Sequence, residues 1–258
     1  MKADKLQQII EEFAPLDLQE SWDNSGFQIK LKNVDISRVL VAIEVTERVI
    51  DEAIDKKIDL IITHHPMLFS PVKSVDDNTF IGNYMVKLIN NGINVYSSHT
   101  PFDKCDGGNN DYLAKLLHLC DIKPMASDES GFCRVGTVDG ECTVGEYIDQ
   151  ISQWLKIDKS FMSFSGNLDE DVVKVGLCTG AGADFIELAV KEGCQLFITG
   201  DVKYHTAQTA KELGLNLLDI GHHGSEKIFV ENMAAYLAKT TDLEIIESTE
   251  NLNPFVKL

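Results

Sequence analysis

Residues 59–69 read DLIITHHPMLF. The apolar run Leu60, Ile61 and Ile62 is short and rich in β-branched residues, and turn-forming residues bound it, so it predicts a buried strand over 59–63. The strand ends at two adjacent histidines, His64 and His65, and Pro66 stops whatever precedes it. Open α/β sheets take their ligands at the carboxyl ends of strands, which is where these two imidazoles fall.

The flanking sequence repeats this arrangement. Residues 38–45 (RVLVAIEV) carry a buried-strand pattern, and Thr46 opens a helix with apolar Val49, Ile50, Ala53 and Ile54. Residues 80–91 are helical in period, Gly92 suits the C-terminal cap, and a strand over 93–98 ends at His99. Asn110 then caps the helix DYLAKLLHL, and KPMASDESG, around residues 124–130, reads as a linker. Beyond it come a strand in FCRVGTV, an Asp139–Gly140 turn, and a helix to Leu155 opened by a Thr143/Glu146 capping box. Strands over 172–178, 195–199 and 216–220 then alternate with helices over 184–192 and 206–213; a helix over 226–239 and a strand over 243–247 finish the chain.

The second half echoes the first. DLIITHH (59–65) aligns with QLFITGD (195–201), and GINVYSSHTPFD (92–103) with GLNLLDIGHHGSE (214–226) with one extra residue. The fold class expected is therefore α/β: two similar α/β domains related by pseudo-duplication, with mixed sheets flanked by helices. The expected division is a first domain over 1–124 and 222–258 and a second over 125–221.

Composition excludes several classes. The chain of 258 residues carries 23 basic and 41 acidic side chains, a formal net charge of −18. Bulk charge therefore opposes nucleic acid and anionic membranes as partners. The N-terminal MKADKLQQIIEEF reads as a polar amphipathic helix rather than a signal peptide, and no run approaches membrane-spanning length. The six cysteines are scattered without a C-x-x-C pair, so they read as reduced thiols and the expected location is cytoplasmic.

Six of the seven histidines fall just past predicted strand ends: His64 and His65, His99, His205, and His222 and His223. Asp103, Asp201 and Glu226 accompany them. Imidazole with carboxylate, and no cysteine, is the donor set of Zn, Mn or Fe(II). The spacings His99-x3-Asp103 and His222-x3-Glu226 let a loop bring both groups to one ion. Adjacent His64 and His65 would face opposite ways in a regular strand, but Pro66 ends it, so both rings can turn inward and serve different ions. That pattern points to a two-metal centre with a carboxylate between the ions. Weaker signals are TGAGAD (179–184), either a phosphate-binding turn or a plain tight turn, and SWDNSG (21–26), whose Trp22 either packs or lines the site.

ITHHPMLF, SHTPFDKCDGGNND, TGDVKYH and GHHGSE, with the N-terminal WDNSGFQ, together resemble the GTP cyclohydrolase 1 type 2 homologue family, the interacting-factor-3-like proteins. The match runs in order along nearly the whole chain. The resemblance implies two related α/β domains with a dinuclear metal site between them, a toroidal homohexamer, and a short form without an inserted middle domain. It also implies that His64, His65, Asp103, His222 and Glu226 are metal ligands, with Glu226 the bridge, for two divalent ions per chain (Zn, Fe or Mn). His99 is a ligand or a neighbour of one, and His223 falls on a position other members fill variously. Pro101–Phe102 departs from the family's usual Asn-Leu pair at the pocket wall.

The function expected is a metal-dependent hydrolase acting on a nucleotide or similar small molecule, with GTP cyclohydrolase chemistry as the specific version. His99 and His205 are the expected proton-transfer residues, with capping of the helix that follows it as the equal alternative for His205. The alternative is a metal-binding, metal-delivery or regulatory protein without turnover.

Overall fold

The computed structural model describes residues 1–32 and 34–256. Helix α1 (Ala3–Phe13) buries Leu6, Ile9 and Ile10 and leads to the short strand β1 (Gly26–Ile29). Then follow β2 (Arg38–Ala42), α2 (Glu47–Asp55), β3 (Leu60–Thr63), α3 (Phe80–Asn90) and β4 (Asn94–Ser97). Thr46 and Thr79 cap α2 and α3 by accepting from the Val49 and Gly82 N–H groups. Short helix α4 (Thr100–Lys104) precedes α5 (Asn109–Leu116), β5 (Cys120–Pro124), β6 (Arg134–Thr137) and α6 (Val144–Trp154). The Thr143/Glu146 capping box forms at the start of α6, as its sequence predicts. β7 (Ser163–Ser165), β8 (Lys174–Leu177), α7 (Ile186–Lys191), β9 (Leu196–Thr199), α8 (Tyr204–Glu212) and β10 (Asn216–Asp219) continue the alternation. α9 (His222–Glu226), α10 (Ile228–Thr240) and β11 (Glu244–Glu247) end it.

The chain divides into two units, Met1–Gly108 with Phe229–Leu252, and Asn109–Ile228 with Asn253–Leu258. The joins fall at 108/109 and 228/229, where the sequence suggested 124/125 and 221/222. The cause is packing. Leu113, Ala114 and Leu117, on and just beyond α5, are buried with Tyr147 and Ile151 of α6 in the second unit's core. Phe229, Met233 and Leu237 of α10 are buried with Leu6 and Ile10 of α1 in the first unit's core. The polar KPMASDESG stretch is an internal turn of the second unit: the Asp128 carboxylate accepts from the Ser130 and Cys133 N–H groups at 2.9 and 2.7 Å.

Each unit is a mixed sheet with a parallel centre. The first runs β1-β4-β3-β2-β11 and the second β5-β6-β8-β9-β10-β7. β2, β3 and β4 are parallel, as are β8, β9 and β10, and β1 and β7 pair antiparallel with β4 and β10 respectively. The duplication extends to single hydrogen bonds. Asn94 Nδ2 donates to the Asp59 carbonyl at 3.0 Å while its Oδ1 accepts from Leu31 N–H. Asn216, its counterpart, donates to the Gln195 carbonyl at 3.0 Å and accepts from Asn167 N–H. β3 and β9 are fully buried four-residue strands, so their apolar side chains fix the register in which the polar residues beyond them emerge.

Candidate metal centre

In the first unit the polar cluster begins where β3 ends. The N–H groups of His64 and His65 both donate to the Ile43 carbonyl, at 3.1 and 2.9 Å. Thr63 Oγ1 donates to the His65 carbonyl at 2.8 Å and shares a hydrogen bond with Ser97 Oγ at 2.8 Å. This turn is pinned on both sides, which breaks the alternation that would send neighbouring rings to opposite faces. The His64 and His65 rings lie 5.1 Å apart between centroids.

His64 is fully buried, and its Nδ1 sits 3.0 Å from the Ser98 carbonyl. A carbonyl only accepts, so Nδ1 carries a proton. Nε2 is 3.5 Å from Asp103 Oδ1. His99 is the N-cap of α4, so the His99-x3-Asp103 spacing is one helical turn rather than the loop expected. His99 Nδ1 meets Asp23 Oδ1 at 2.9 Å, which leaves its Nε2 for another partner. One ligand atom each from His64, His65 and His99 lie within 4.8 Å of one another. Ligands about 2.0–2.2 Å from a shared ion lie about 3–3.5 Å apart, a spacing small side-chain rotations would reach here.

Asp23 is the hub behind His99. Burial alone would raise the pKa of its carboxyl, but hydrogen bonds from His99, Thr100 and Ser25 outweigh it and hold the group well below the usual carboxylate range. Thr100 Oγ1 donates to Asp23 Oδ2 at 2.6 Å and Ser25 Oγ at 2.8 Å.

The second unit builds a smaller cluster at the ends of β9 and β10. His222 and Glu226 lie one turn apart on α9, again a helix rather than a loop, with His222 Nε2 2.9 Å from Glu226 Oε2. His222 Nδ1 lies 2.8 Å from Asp201 Oδ2. The hydrogen bond to Glu226 pushes the His222 pKa up to about 10 against the opposing effect of burial, and the Glu226 and Asp201 charges add to it. Asp219, the last residue of β10, fixes both loops: its Oδ2 accepts from Val202 N–H at 2.9 Å and its Oδ1 from Gly221 N–H at 2.7 Å.

The TGAGAD turn walls this cluster. Gly180 lies at φ +66°, and a Cβ there would collide with Glu226 Oε1 and come within 3.5 Å of His222 Nε2. Its N–H donates to Ser225 Oγ at 2.9 Å, and its carbonyl accepts from Thr199 Oγ1 at 3.4 Å. Thr199 thus repeats the pinning role of Thr63 at the matching strand end.

The structure gathers His64, His65, His99 and Asp103 in the first unit and His222 with Glu226 in the second. His205 lies exposed in the first turn of α8, its ring 5.2 Å from that of Tyr204, and belongs to no His/Cys/Asp/Glu group of ion-binding spacing among the described residues. His223 is half-buried on α9 and belongs to no such group either. Asp23 and Asp201 are the residues the ligand assignment from sequence lacked. Their signal was chain position: Asp201 follows a strand, and Asp23 lies in the WDNSG stretch. Ring nitrogens fixed by carboxylates or carbonyls are the usual support behind metal-ligating histidines.

The family model described as Duf34/NIF3 (NGG1p interacting factor 3) matches residues 1–254. The chain belongs to this family. Among curated Duf34/NIF3 relatives, the Clostridium perfringens "GTP cyclohydrolase 1 type 2 homolog" is 37% identical over 99% of each chain. The Helicobacter pylori protein named "GTP cyclohydrolase 1 type 2" is 31% identical over 95% of each. A solved Bacillus cereus protein related to NIF3 has the same fold, with a TM-score of 0.91 at 23% identity over 100% of this chain and 99% of that one. Among the described residues of this Duf34/NIF3 chain, no helix is long and apolar enough to cross a membrane.

Proposed function

We propose that the chain is a metal-dependent hydrolase of a nucleotide or similar small molecule, with GTP cyclohydrolase chemistry as the specific form. In this reading His64, His65, Asp103, His222 and Glu226 would hold two divalent ions, Zn, Fe or Mn. Glu226 would contribute to holding both ions, and His99 would either help hold one or move a proton. One observation carries the reading: His64, His99 and His222 each present Nδ1 to an oxygen, which leaves Nε2 beside other donors. A donor set of imidazoles and carboxylates without thiolate suits a catalytic ion better than a structural one.

Divalent ions bound there would supply Lewis acidity and make water acidic enough to deprotonate near neutral pH. The chain's own groups do the rest. Ser98, Asp23 and Asp201 orient the rings, and Asp219 and Gly180 keep Glu226 and His222 in place. Of the two candidates for proton transfer, the geometry favours His99, which is backed by Asp23 and neighbours His64 and His65, over exposed His205. Assembly as a homohexameric ring and a cytoplasmic location rest on the sequence reading and complete the proposal.

The test is turnover. Protein reconstituted with Zn, Fe or Mn is incubated with GTP and other nucleotides, and the products are resolved by chromatography. Ring-opened or otherwise hydrolysed product that disappears in His65→Ala and Glu226→Ala is the expected result. Fully metal-loaded protein that leaves every nucleotide intact would overturn the hydrolase reading in favour of metal delivery.

A further inference from the structure

Two large aromatic side chains stand in solvent beside the first unit's histidines. Trp22 is 55% exposed and Phe69 54% exposed. They are not loose apolar residues on free loops. Their ring centroids lie 6.1 Å apart at an interplanar angle of 44°. Both adjoin His99: Trp22 at 5.8 Å and Phe69 at 6.4 Å, each close to edge-on. His99 is in turn 5.6 Å from His65 and 5.1 Å from His64.

The loops that carry the two rings are stitched together. Asn24 Nδ2 donates to the Leu68 carbonyl at 2.7 Å, Leu68 N–H donates to Gln28 Oε1 at 3.0 Å, and Gln28 Nε2 donates to the Asn24 carbonyl at 2.7 Å. Asn24 and Gln28 both belong to the WDNSGFQ stretch. Each ring is also tied in sequence to the cluster: Trp22 precedes Asp23, the partner of His99, and Phe69 follows four residues after His65. Met67 between them is buried and anchors that loop. The hydrogen bonds fix the backbones beneath rings whose faces remain wet.

We propose that Trp22 and Phe69 form an aromatic wall that seats the planar heteroaromatic ring of the substrate next to His99. The wall deepens the nucleotide-hydrolase reading and rests on it for the identity of the ring. A flat π-system gains from stacking on one ring and meeting the edge of the other, and aromatic stacking tolerates any base. Exposed, prefixed aromatics lose little conformational entropy when a ligand covers them.

The chain has two tryptophans, so Trp154→Phe leaves Trp22 as the sole tryptophan, read by selective tryptophan excitation. Guanosine is titrated into this protein, with ribose 5-phosphate as the control that lacks a base. Saturable quenching by guanosine and none by ribose 5-phosphate is expected. Equilibrium dialysis should then show guanosine binding weakened about tenfold or more in Trp22→Ala and Phe69→Ala, the range of one base–aromatic stack, with metal content equal to the parent's. Trp22→Phe should restore most of the affinity. Absent quenching, or undiminished guanosine binding in Trp22→Ala, overturns the wall. So does a shift in sedimentation on Trp22→Ala with guanosine binding intact, which would make the patch a contact between copies of this chain. These are binding measurements, so they separate failure of the wall from failure of turnover.

Discussion

An imidazole offers two nitrogens, and a metal site must settle which one is free. The Ser98 carbonyl, Asp23 and Asp201 engage Nδ1 of His64, His99 and His222 respectively, and Glu226 engages Nε2 of His222 as well. Asp201 is exposed, so Asp201→Ala should leave the fold intact. Metal affinity, read by competition with a chelating dye, should fall about 10- to 100-fold, the usual cost of losing such a partner. Unchanged affinity would deny Asp201 this role. If His99 transfers the proton, His99→Gln should lower turnover at least about 100-fold, and His205→Ala should change it less than about threefold. The reverse order would reassign the proton to α8. The clustered histidines and carboxylates were legible in the sequence because HH, H-x3-D and H-x3-E follow strand ends. Asp23 and Asp201 were not assigned, since a carboxylate that acts through a ring nitrogen shows itself only once the ring's orientation is known.

The elements carry the site by ending in the right place. The central strands and helices were readable because their apolar runs are buried and their caps are chemically explicit. β1, β5 and β7 were not: they are three to five residues long, lie at sheet edges, and keep polar or half-exposed side chains. The His99 and His222 spacings were read as loops because α4 and α9 have five residues each, too short for a periodic signal. Gly180→Ala would place a Cβ against Glu226, so metal content should fall while the circular dichroism spectrum is kept. An unaltered metal content would show that the turn gives way. Away from the site, Glu52 of α2 ties down the segment after β11. Its carboxylate pairs with Lys56 at 2.6 Å and accepts from Ser248 Oγ at 2.5 Å and Thr249 N–H at 3.1 Å. Burial works to raise its pKa, and these bonds prevail and lower it. A lowered folded-state pKa gives stability that is present above the unfolded value, near 4.5, and lost as pH falls below it. Glu52→Gln should therefore cost about 1–3 kcal/mol at pH 7 in denaturant unfolding, and the gap to the parent should close below about pH 4. A gap independent of pH would assign the tie to shape rather than charge.

At the scale of the molecule, two diverged copies of one α/β unit each bring a histidine–carboxylate set to the ends of their parallel strands. The duplication was visible in paired motifs, and the Asn94 and Asn216 hydrogen bonds repeat it in three dimensions. The joins were not visible, because which core receives α5 and α10 depends on packing rather than on local composition. A ligand that binds only the folded chain raises its melting temperature. Chelator treatment should accordingly lower the parent's Tm by several degrees and leave His65→Ala and Glu226→Ala almost unmoved; equal shifts in all three would place the stabilising ion elsewhere. The most direct measurement of the central claim is elemental analysis of untagged protein purified without chelator or added metal, beside the same two variants. The account predicts about two transition-metal ions per chain in the parent and a sharp fall in both variants. No metal in any sample and none taken up on incubation, or a full complement in both variants, would contradict it.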